Sequence, residues 1–403
     1  MSVMRAGARV ITVGCKLNQY YSQIIREMLA KAEAGPELAI VNACAVTARA
    51  ERDTRKAVRR ALSSAKRVIL TGCIGESLRG LGTKIMTYEE LARELGVEMP
   101  KGITGFAGRA RAFLRIQSGC DLSCSYCIVP RLRGPSVSRG FSEIIREAEN
   151  LASAGFREIV ITGTQTGDWK ERGRGLAWLL AQLIERIPGV RFRLSSIEPQ
   201  YLTRDLIDTM ARCGWRVADH LHLPLQSGSD KVLAEMGRPY RLREYEERAL
   251  IALSAMPGLA IGTDIIAGFP TETEKDFAET LSFLKSFPFA YAHIFSYSKR
   301  PGTMSFPLGE MASRVVKERV RLLLAADRAN RLKFAKGFIG KELVVVGERR
   351  HEGVSLALSG NYLRLRVKGL EPGSLARVKV IGLGEGELLE PLVQNEEKET
   401  CQR

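Results

Sequence analysis

No run in the 403-residue chain approaches the ~20 consecutive apolar residues that a membrane-spanning helix requires, so an integral helical membrane protein is excluded. The opening stretch, MSVMRAGARVITVGC, has a short basic region but no apolar core of signal-peptide length before Gly14 and Cys15. A cytoplasmic protein with no membrane partner is expected. Internal repeats and low-complexity tracts are also missing, which removes solenoids and fibrous proteins from consideration. Cysteine is scarce, at eight residues, too few for a disulfide scaffold in a chain of this length. Acidic residues are in deficit, 45 against 61 Lys plus Arg, and the net charge of +16 favours a polyanionic partner such as nucleic acid.

What is present is a globular composition, 45% apolar and 26% charged, in a chain longer than the roughly 250–300 residues one core supports. Two or three domains are therefore expected. Short apolar runs at 8–14, 38–43 and 67–72 alternate with helical spacing in QIIREMLAKA and RKAVRRALSSA, a βαβαβ rhythm that implies a parallel sheet. Cys15, Cys44 and Cys73 each fall one or two residues beyond a strand, where ligands gather in such sheets. After a Gly-, Pro- and base-rich stretch from Pro100 to Arg111, read as a linker, the rhythm resumes for six strand–helix units. These suggest a full or partial parallel barrel, or alternatively an open doubly wound sheet. A basic helix follows, and then short alternating strands divided by glycine from about Gly337 to Leu392, the pattern of a small antiparallel barrel. The tail QNEEKETCQR is expected to be disordered.

The chemistry concentrates in Cys120-Asp-Leu-Ser-Cys124-Ser-Tyr-Cys127. A tight loop with CxxxCxxC spacing brings three thiolates to three corners of an iron–sulfur cube and leaves the fourth iron open. A zinc site usually takes four ligands, and no fourth Cys or His lies nearby.

This spacing, with Tyr126 just before the third cysteine, resembles the signature of the radical S-adenosylmethionine superfamily. The resemblance extends over nearly the whole chain through GCKLNQ (14–19), VNACAVT (41–47), TGC (71–73), CSYCIVPRLRGPSVSR (124–139), LHLPLQSGSDKVL (221–233), GTDIIAGFPTETEKDF (262–277) and FSYSKRPGT (295–303). Together these look like a methylthiotransferase, most like the branch that acts on threonylcarbamoyladenosine beside the anticodon of tRNA. The fold so implied is α/β in three parts. An N-terminal parallel α/β domain spans 1–105, a central partial (βα)6 TIM-like radical SAM barrel 106–336, and a small antiparallel TRAM-like RNA-binding β-barrel 337–393, with a disordered tail at 394–403.

The resemblance implies two [4Fe–4S] clusters, one on Cys120, Cys124 and Cys127 and an auxiliary one on Cys15, Cys44 and Cys73. It implies S-adenosyl-L-methionine as cofactor, tRNA at its anticodon region as partner, and an external electron donor and sulfur donor. The first cluster would generate the radical that breaks a C–H bond, and the auxiliary cluster would deliver sulfur. Further cofactor-binding candidates are Tyr126, Gly163, Ser195 and Gln226, the last three at strand ends facing one mouth. The sequence departs from the family pattern at Ala43, where Thr is usual, and at Tyr20 and Tyr21. The intervals from Cys15 to Cys44 and from Cys73 to Cys120 are also shorter than usual.

His220 and His222 share a face of one strand and are expected to be buried and hydrogen-bonded. Cys213 and Cys401 lack cluster spacing, and GLGEGE (382–387) reads as a hairpin turn rather than a phosphate loop. Two basic faces, Arg49 to Arg67 and Arg314 to Lys336, are candidates for phosphate contact. Competing readings are a ribosomal-protein methylthiotransferase, an isopentenyladenosine methylthiotransferase, and a non-catalytic RNA-binding protein with a structural metal.

Overall fold

The structure, a computed structural model, describes residues 7–384 and the backbone of residues 389–392. The first unit is built from β1 (Arg9–Thr12), α1 (Lys16–Lys31), β2 (Leu38–Cys44), α2 (Ala48–Leu62), β3 (Arg67–Cys73), β4 (Lys84–Ile85) and α3 (Tyr88–Glu94). Its four strands are parallel in the order β1-β2-β3-β4. All seven residues of β2 are buried, as expected of a central strand covered on both faces. Helix α2 starts where the Thr47 hydroxyl accepts from Ala50 N, and buries Thr54, Val58 and Ala61 while its arginines face outward. The two-residue β4 was not foreseen, because a pair of residues after GLGT carries no periodicity.

The central unit follows the connection at 100–111, which is not a free linker. Ile103 and Phe106 on it are buried, and Ile103 N donates to the Glu147 carboxylate at 3.1 Å. The elements are β5 (Ala112–Arg115), β6 (Gln117–Ser118), α4 (Val129–Arg133), β7 (Val137–Ser138), α5 (Phe141–Ser153), β8 (Glu158–Thr162), α6 (Leu176–Arg186), β9 (Arg191–Leu194), α7 (Arg204–Arg212), β10 (His220–His222), α8 (Asp230–Glu235), α9 (Leu242–Ala255), β11 (Ala260–Ala267), α10 (Glu274–Ser286), β12 (Tyr291–Ser296) and α11 (Ser313–Lys336). Parallel sheets β5-β8-β9 and β10-β11-β12 are joined by parallel bridges Phe192–Val217 and Ser196–His222. Six strands thus form one curved row, a partial barrel with β5 and β12 at its margins. The first and central units share a hydrophobic core: Tyr20, Ile24, Ile25 and Met28 of α1 pack with Phe106, Phe113 and Leu114. At roughly 1.5–3 kcal/mol for each fully buried large apolar side chain, this burial holds the two units in one arrangement.

The third unit is a closed barrel of β13 (Glu342–His351), β14 (Val354–Ser359), β15 (Arg364–Lys368), β16 (Leu375–Leu383) and β17 (Leu389–Leu392), in the order β13-β14-β15-β17-β16. Its pairings are antiparallel except β15 with β17. A buried ion cluster joins it to the central unit. Glu158 accepts from Arg191 Nε at 2.6 Å, Arg193 Nε at 2.8 Å and Arg111 at 3.2 Å. The spare guanidinium hydrogens of Arg191 and Arg193 go to the carbonyls of Val344, Leu358, Ser359 and Gly360. The three guanidinium groups hold the Glu158 carboxyl well below the usual carboxylate range in spite of its burial. The tail at 394–403, with Cys401, lies outside the described residues, as do three residues of the expected 382–387 turn and the one after it.

Candidate active site with two thiol triads

Cys44 and Cys73 end adjacent parallel strands in register, and Cys15 precedes the first turn of α1. The parallel topology alone therefore gathers three thiols separated in sequence. Reciprocal amide contacts fix the strand ends: Asn18 Nδ2 donates to the carbonyls of Val13 and Ala43, both at 2.7 Å, and Asn42 Nδ2 donates to Asn18 O. Gly14, at φ 108°, backs the triad; a Cβ there would meet Cys44 Cβ at 2.8 Å. The departures from the family pattern lie around the triad, with Ala43 lending its carbonyl to the Asn18 contact. Tyr20 donates to Glu147, Tyr21 stacks on Tyr88 at 4.2 Å, and Ala43 is buried.

Cys120, Cys124 and Cys127 lie on the loop between β6 and α4. Cys120 N donates to Gly134 O at 3.1 Å and Cys127 N to Cys124 O at 3.0 Å. The preceding Gly119 (φ 80°) runs so close to the strand after α4 that a Cβ would stand 1.7 Å from Pro135 O. Only glycine fits there. Ser125 fastens the loop to the end of α8, N to Met236 O at 2.9 Å and Oγ to Glu235 O at 2.8 Å. Buried Arg238 donates to Cys124 Sγ at 3.1 Å, pairs with Glu198, and meets Tyr240 Oη at 3.0 Å.

Burial pushes the Cys120 and Cys73 thiols up to about 11 and Cys127 up to about 12. Such thiols ionise only when a cation shares the site, which is what a metal cluster supplies. Neither triad has all three sulfurs within 4.8 Å of one another, whereas one zinc ion with bonds of about 2.3 Å gathers sulfurs to about 3.8 Å. Three thiols with no fourth protein ligand among the described residues are instead the donor set of a cluster that keeps one iron open.

The two triads are linked by Arg133, on the short helix that follows Cys127. Its guanidinium reaches the Cys73 thiol and Asn18 Oδ1 across the interface between the units. Neither Arg133 nor Arg238 was singled out from sequence. The signal was adjacency to the motif for Arg133, but Arg238 is 111 residues beyond Cys127 and only the fold returns it.

The other candidates take distinct places. Tyr126 packs against Val232, Met236 and Phe269, behind the loop. Gly163 ends β8 where Gln117 crosses; a Cβ would stand 2.9 Å from Gln117 Oε1, which accepts from Thr164 N and Gln165 N. Ser195, at the end of β9, exchanges a hydrogen bond with Thr166 Oγ1 at 2.9 Å. Gln226 holds φ 75°, a conformation costly for a residue with a Cβ, while bridged to Ile265 on β11.

His220 and His222 are buried and hydrogen-bonded, to Tyr291 Oη at 2.8 Å and Ser196 Oγ at 2.9 Å. The fold adds partners. Asp264 Oδ1 lies 3.1 Å from His222 Nε2 and 3.2 Å from His293 Nδ1, a group compact enough to hold a cation. The two imidazoles hold the Asp264 carboxyl well below its usual range despite burial. Tyr362, from the C-terminal barrel, stacks on His220 at 4.6 Å.

The expected basic face of α11 needs correction. Arg319 is buried against Glu272 at 2.5 Å, and Arg331 pairs with Asp327 at 2.7 Å, so both serve the fold. Arg314, Lys317, Arg328 and Lys333 remain exposed.

Comparison with known proteins accords with this geometry. The family model described as Radical SAM superfamily matches residues 114–284, and Uncharacterized protein family UPF0004 matches residues 8–90. The threonylcarbamoyladenosine tRNA methylthiotransferase MtaB of Bacillus subtilis is 32% identical over 93% of this chain and 93% of its own. The protein of the same name from Aquifex aeolicus is 33% identical, over 92% and 98%. A tRNA-2-methylthio-N(6)-dimethylallyladenosine synthase of Ruegeria pomeroyi is 29% identical over 94% and 97%. Among solved structures, the radical S-adenosylmethionine methyltransferase TsrM of Kitasatospora setae matches 74% of this chain and 74% of its own with a TM-score of 0.53 at 12% identity, a likeness of fold.

Curved parallel barrel and thiol loop together define a radical S-adenosylmethionine enzyme. The chain belongs to the radical S-adenosylmethionine methylthiotransferase family, most like its threonylcarbamoyladenosine branch. It is a transferase, with S-adenosylmethionine and two [4Fe–4S] clusters as its cofactors.

Proposed function

We propose that this enzyme places a methylthio group on C2 of N6-threonylcarbamoyladenosine beside the anticodon of tRNA, in the cytoplasm, with an external electron donor and sulfur donor. The observation that carries the reading is the pair of thiol triads joined through Arg133, since the reaction needs a radical generator and a sulfur source at one substrate. The likeness in sequence to two proteins named for that substrate supports the choice of branch.

In this proposal Cys120, Cys124 and Cys127 hold one cluster and Cys15, Cys44 and Cys73 the other. When bound, these groups and S-adenosylmethionine supply the radical, the sulfur and the methyl group. The chain supplies geometry. Arg238 donates to Cys124, and the Arg133 guanidinium charge acts on Cys73, one cation beside each triad, which stabilises the thiolate form. Gly163 and Gln117 fix the strand end beside the loop, and Gln226 and Ser195 end later strands at the same mouth. Tyr126 supports the loop from behind. Tyr362 and the Glu158 cluster pack the C-terminal barrel against the partial barrel.

The 29% identity to a dimethylallyladenosine-modifying relative keeps the isopentenyl substrate as a second reading. The deciding experiment is mass spectrometry of tRNA nucleosides from a host lacking the methylthio modification, with and without this protein. Appearance of 2-methylthio-threonylcarbamoyladenosine is expected. A methylthio group on isopentenyladenosine alone would move the assignment to the second reading.

A further inference from the structure

The segment that follows β12, Tyr297 to Leu308, inverts the usual placing of side chains. Its polar residues Arg300, Thr303 and Ser305 are buried, whereas Met304, Phe306 and Leu308 stand 64%, 38% and 52% exposed. Slack does not explain this, because the segment is fastened along its length. Ser298 Oγ accepts from Ala48 N at 3.0 Å, Arg300 pairs with Glu51 at 2.6 Å, and Gly302 O accepts from Arg131 Nη1 at 2.6 Å. Ser305 N donates to Ser125 O at 2.8 Å, and Ser305 Oγ exchanges a hydrogen bond with Tyr297 Oη at 2.9 Å. A backbone so held presents three apolar side chains to solvent at a fixed place, where a partner that covered them would gain by their burial.

That place is the seam between the two triads. Ala48 and Glu51 belong to the start of α2, just past Cys44, and Ser125 sits between Cys124 and Cys127. Arg131 lies on α4, the helix that also carries Arg133. The segment leaves β12 at its carboxyl end, the end at which a parallel barrel opens. A base drawn into such an opening leaves its neighbours in the strand unstacked outside, and their faces need cover. The charge around the apolar residues suits nucleic acid. Lys299 Nζ stands 4.7 Å over the Phe306 ring, and Arg49, Arg52 and Arg131 are exposed on the elements that touch the segment. Of the anions on those elements, Glu51 is taken by Arg55 and Arg300, and Asp121 accepts from Ser136 N at 2.8 Å. Asp53 on α2 and Glu310 beyond the segment are exposed, and the four cations outweigh them.

We infer that Phe306, with Met304 and Leu308 beside it, is a stacking platform for unpaired anticodon-loop bases that flank the modified nucleotide, and that Lys299 neutralises a phosphate of the same strand. This rests on the proposed RNA substrate and names how the strand is held at the seam. An aromatic face under a base, with a cation beside it, grips single-stranded nucleic acid without reading its sequence, since every base has a π-face. The platform therefore sets one nucleotide over the barrel opening while loops of differing sequence are held alike.

The test uses the full chain with both clusters and an anticodon stem-loop RNA carrying threonylcarbamoyladenosine. Each other loop nucleotide is replaced in turn by 5-iodouridine, and irradiation followed by peptide mapping reads which residue lies against it. Wild-type protein is expected to cross-link at Phe306 or Met304, and cross-links mapping only to other segments would overturn the platform. Phe306→Ala should weaken stem-loop binding at least about fivefold with the salt slope unchanged, and Phe306→Tyr should restore most of the loss. Lys299→Met should instead lower the slope by about 0.7, the share of one phosphate on a single strand. Iron content and the cluster absorption spectrum report whether each variant keeps its triads, and the cross-link on wild-type protein stands without any variant. Unchanged affinity in Phe306→Ala would overturn the platform and leave the apolar face to a protein partner. An equal loss of affinity for a fully base-paired RNA would also overturn it, since paired bases offer no free face. Tight binding of the stem-loop by wild-type protein with neither cross-link nor loss sinks the platform alone, and absence of wild-type binding sinks the functional reading with it.

Discussion

The two thiol triads reach similar arrangements by opposite routes. Cys120, Cys124 and Cys127 occupy eight consecutive residues and are shaped by hydrogen bonds within their loop and from α8. Cys15, Cys44 and Cys73 are spread over 59 residues and meet because parallel strands end together. One site is local and depends on a few neighbours around it, whereas the other is a property of a whole sheet. Damage near the first should therefore stay near it, while damage to the second should register in the stability of the N-terminal unit.

Cysteine substitutions break the comparison most completely. Replacing Cys120, Cys124 and Cys127 with Ala should remove roughly half the iron and abolish 5′-deoxyadenosine formation, with a smaller fall in the melting temperature of the metal-free protein than the sheet cysteines give. Replacing Cys44 and Cys73 should remove the other half. It should also lower the metal-free melting temperature, because both side chains are buried within the sheet. Iron and sulfide analysis with calorimetry of the apoprotein checks both arms.

Next come the supporting glycines. Gly119→Ala pushes a Cβ into Pro135 O and should prevent loading of the loop cluster while sparing the auxiliary one. Gly14→Ala meets Cys44 Cβ and Sγ and should do the reverse. Electron paramagnetic resonance on each variant distinguishes the two outcomes.

A smaller effect is expected at the two arginines. Arg238→Met and Arg133→Met each remove a donor beside one triad, so the matching cluster should become harder to reduce by roughly 60 mV per 1.4 kcal/mol of stabilisation removed. Spectroelectrochemical titration reads each couple separately. A shift of both couples in one variant would mean the triads are less independent than their construction suggests. Arg238→Met should also unfold more readily, since it strands Glu198.

The smallest effect belongs to the surface. Charge reversal at Arg328 and Lys333, exposed on α11, should weaken tRNA binding evenly and reduce the salt slope by about 2, roughly 0.9 for each phosphate that is no longer neutralised. Arg331 is left out because its pair with Asp327 belongs to the fold. An unchanged slope would remove α11 from the RNA interface.

The same contrast explains what could be read from the amino acids. The loop triad was legible because its chemistry is written in spacing, and the auxiliary triad because each cysteine follows a short apolar run. The barrel strands were legible as apolar runs between helical patterns. What escaped were charges inside that barrel. Arg191 and Arg193 on β9, Glu158 on β8 and Asp264 on β11 interrupt apolar strands, and a sequence gives no sign of which distant carbonyl, guanidinium or imidazole will satisfy them. Arg319 and Arg331 erred in the other direction. On a basic helix they look like surface charge, and only the packing of α11 against Glu272 and Ala292 shows otherwise. Ile103 and Phe106, set among Gly and Lys, were likewise hidden in a segment whose composition reads as linker.

The division of labour between the triads is the central claim, and one measurement tests it most directly. The Cys15→Ala, Cys44→Ala, Cys73→Ala enzyme is incubated anaerobically with reductant, S-adenosylmethionine and threonylcarbamoyl-bearing stem-loop RNA, and both products are quantified by mass spectrometry. The account predicts that 5′-deoxyadenosine still forms and that no 2-methylthio nucleoside appears. Methylthio product from this variant, or loss of 5′-deoxyadenosine while the loop cluster is intact, would contradict it.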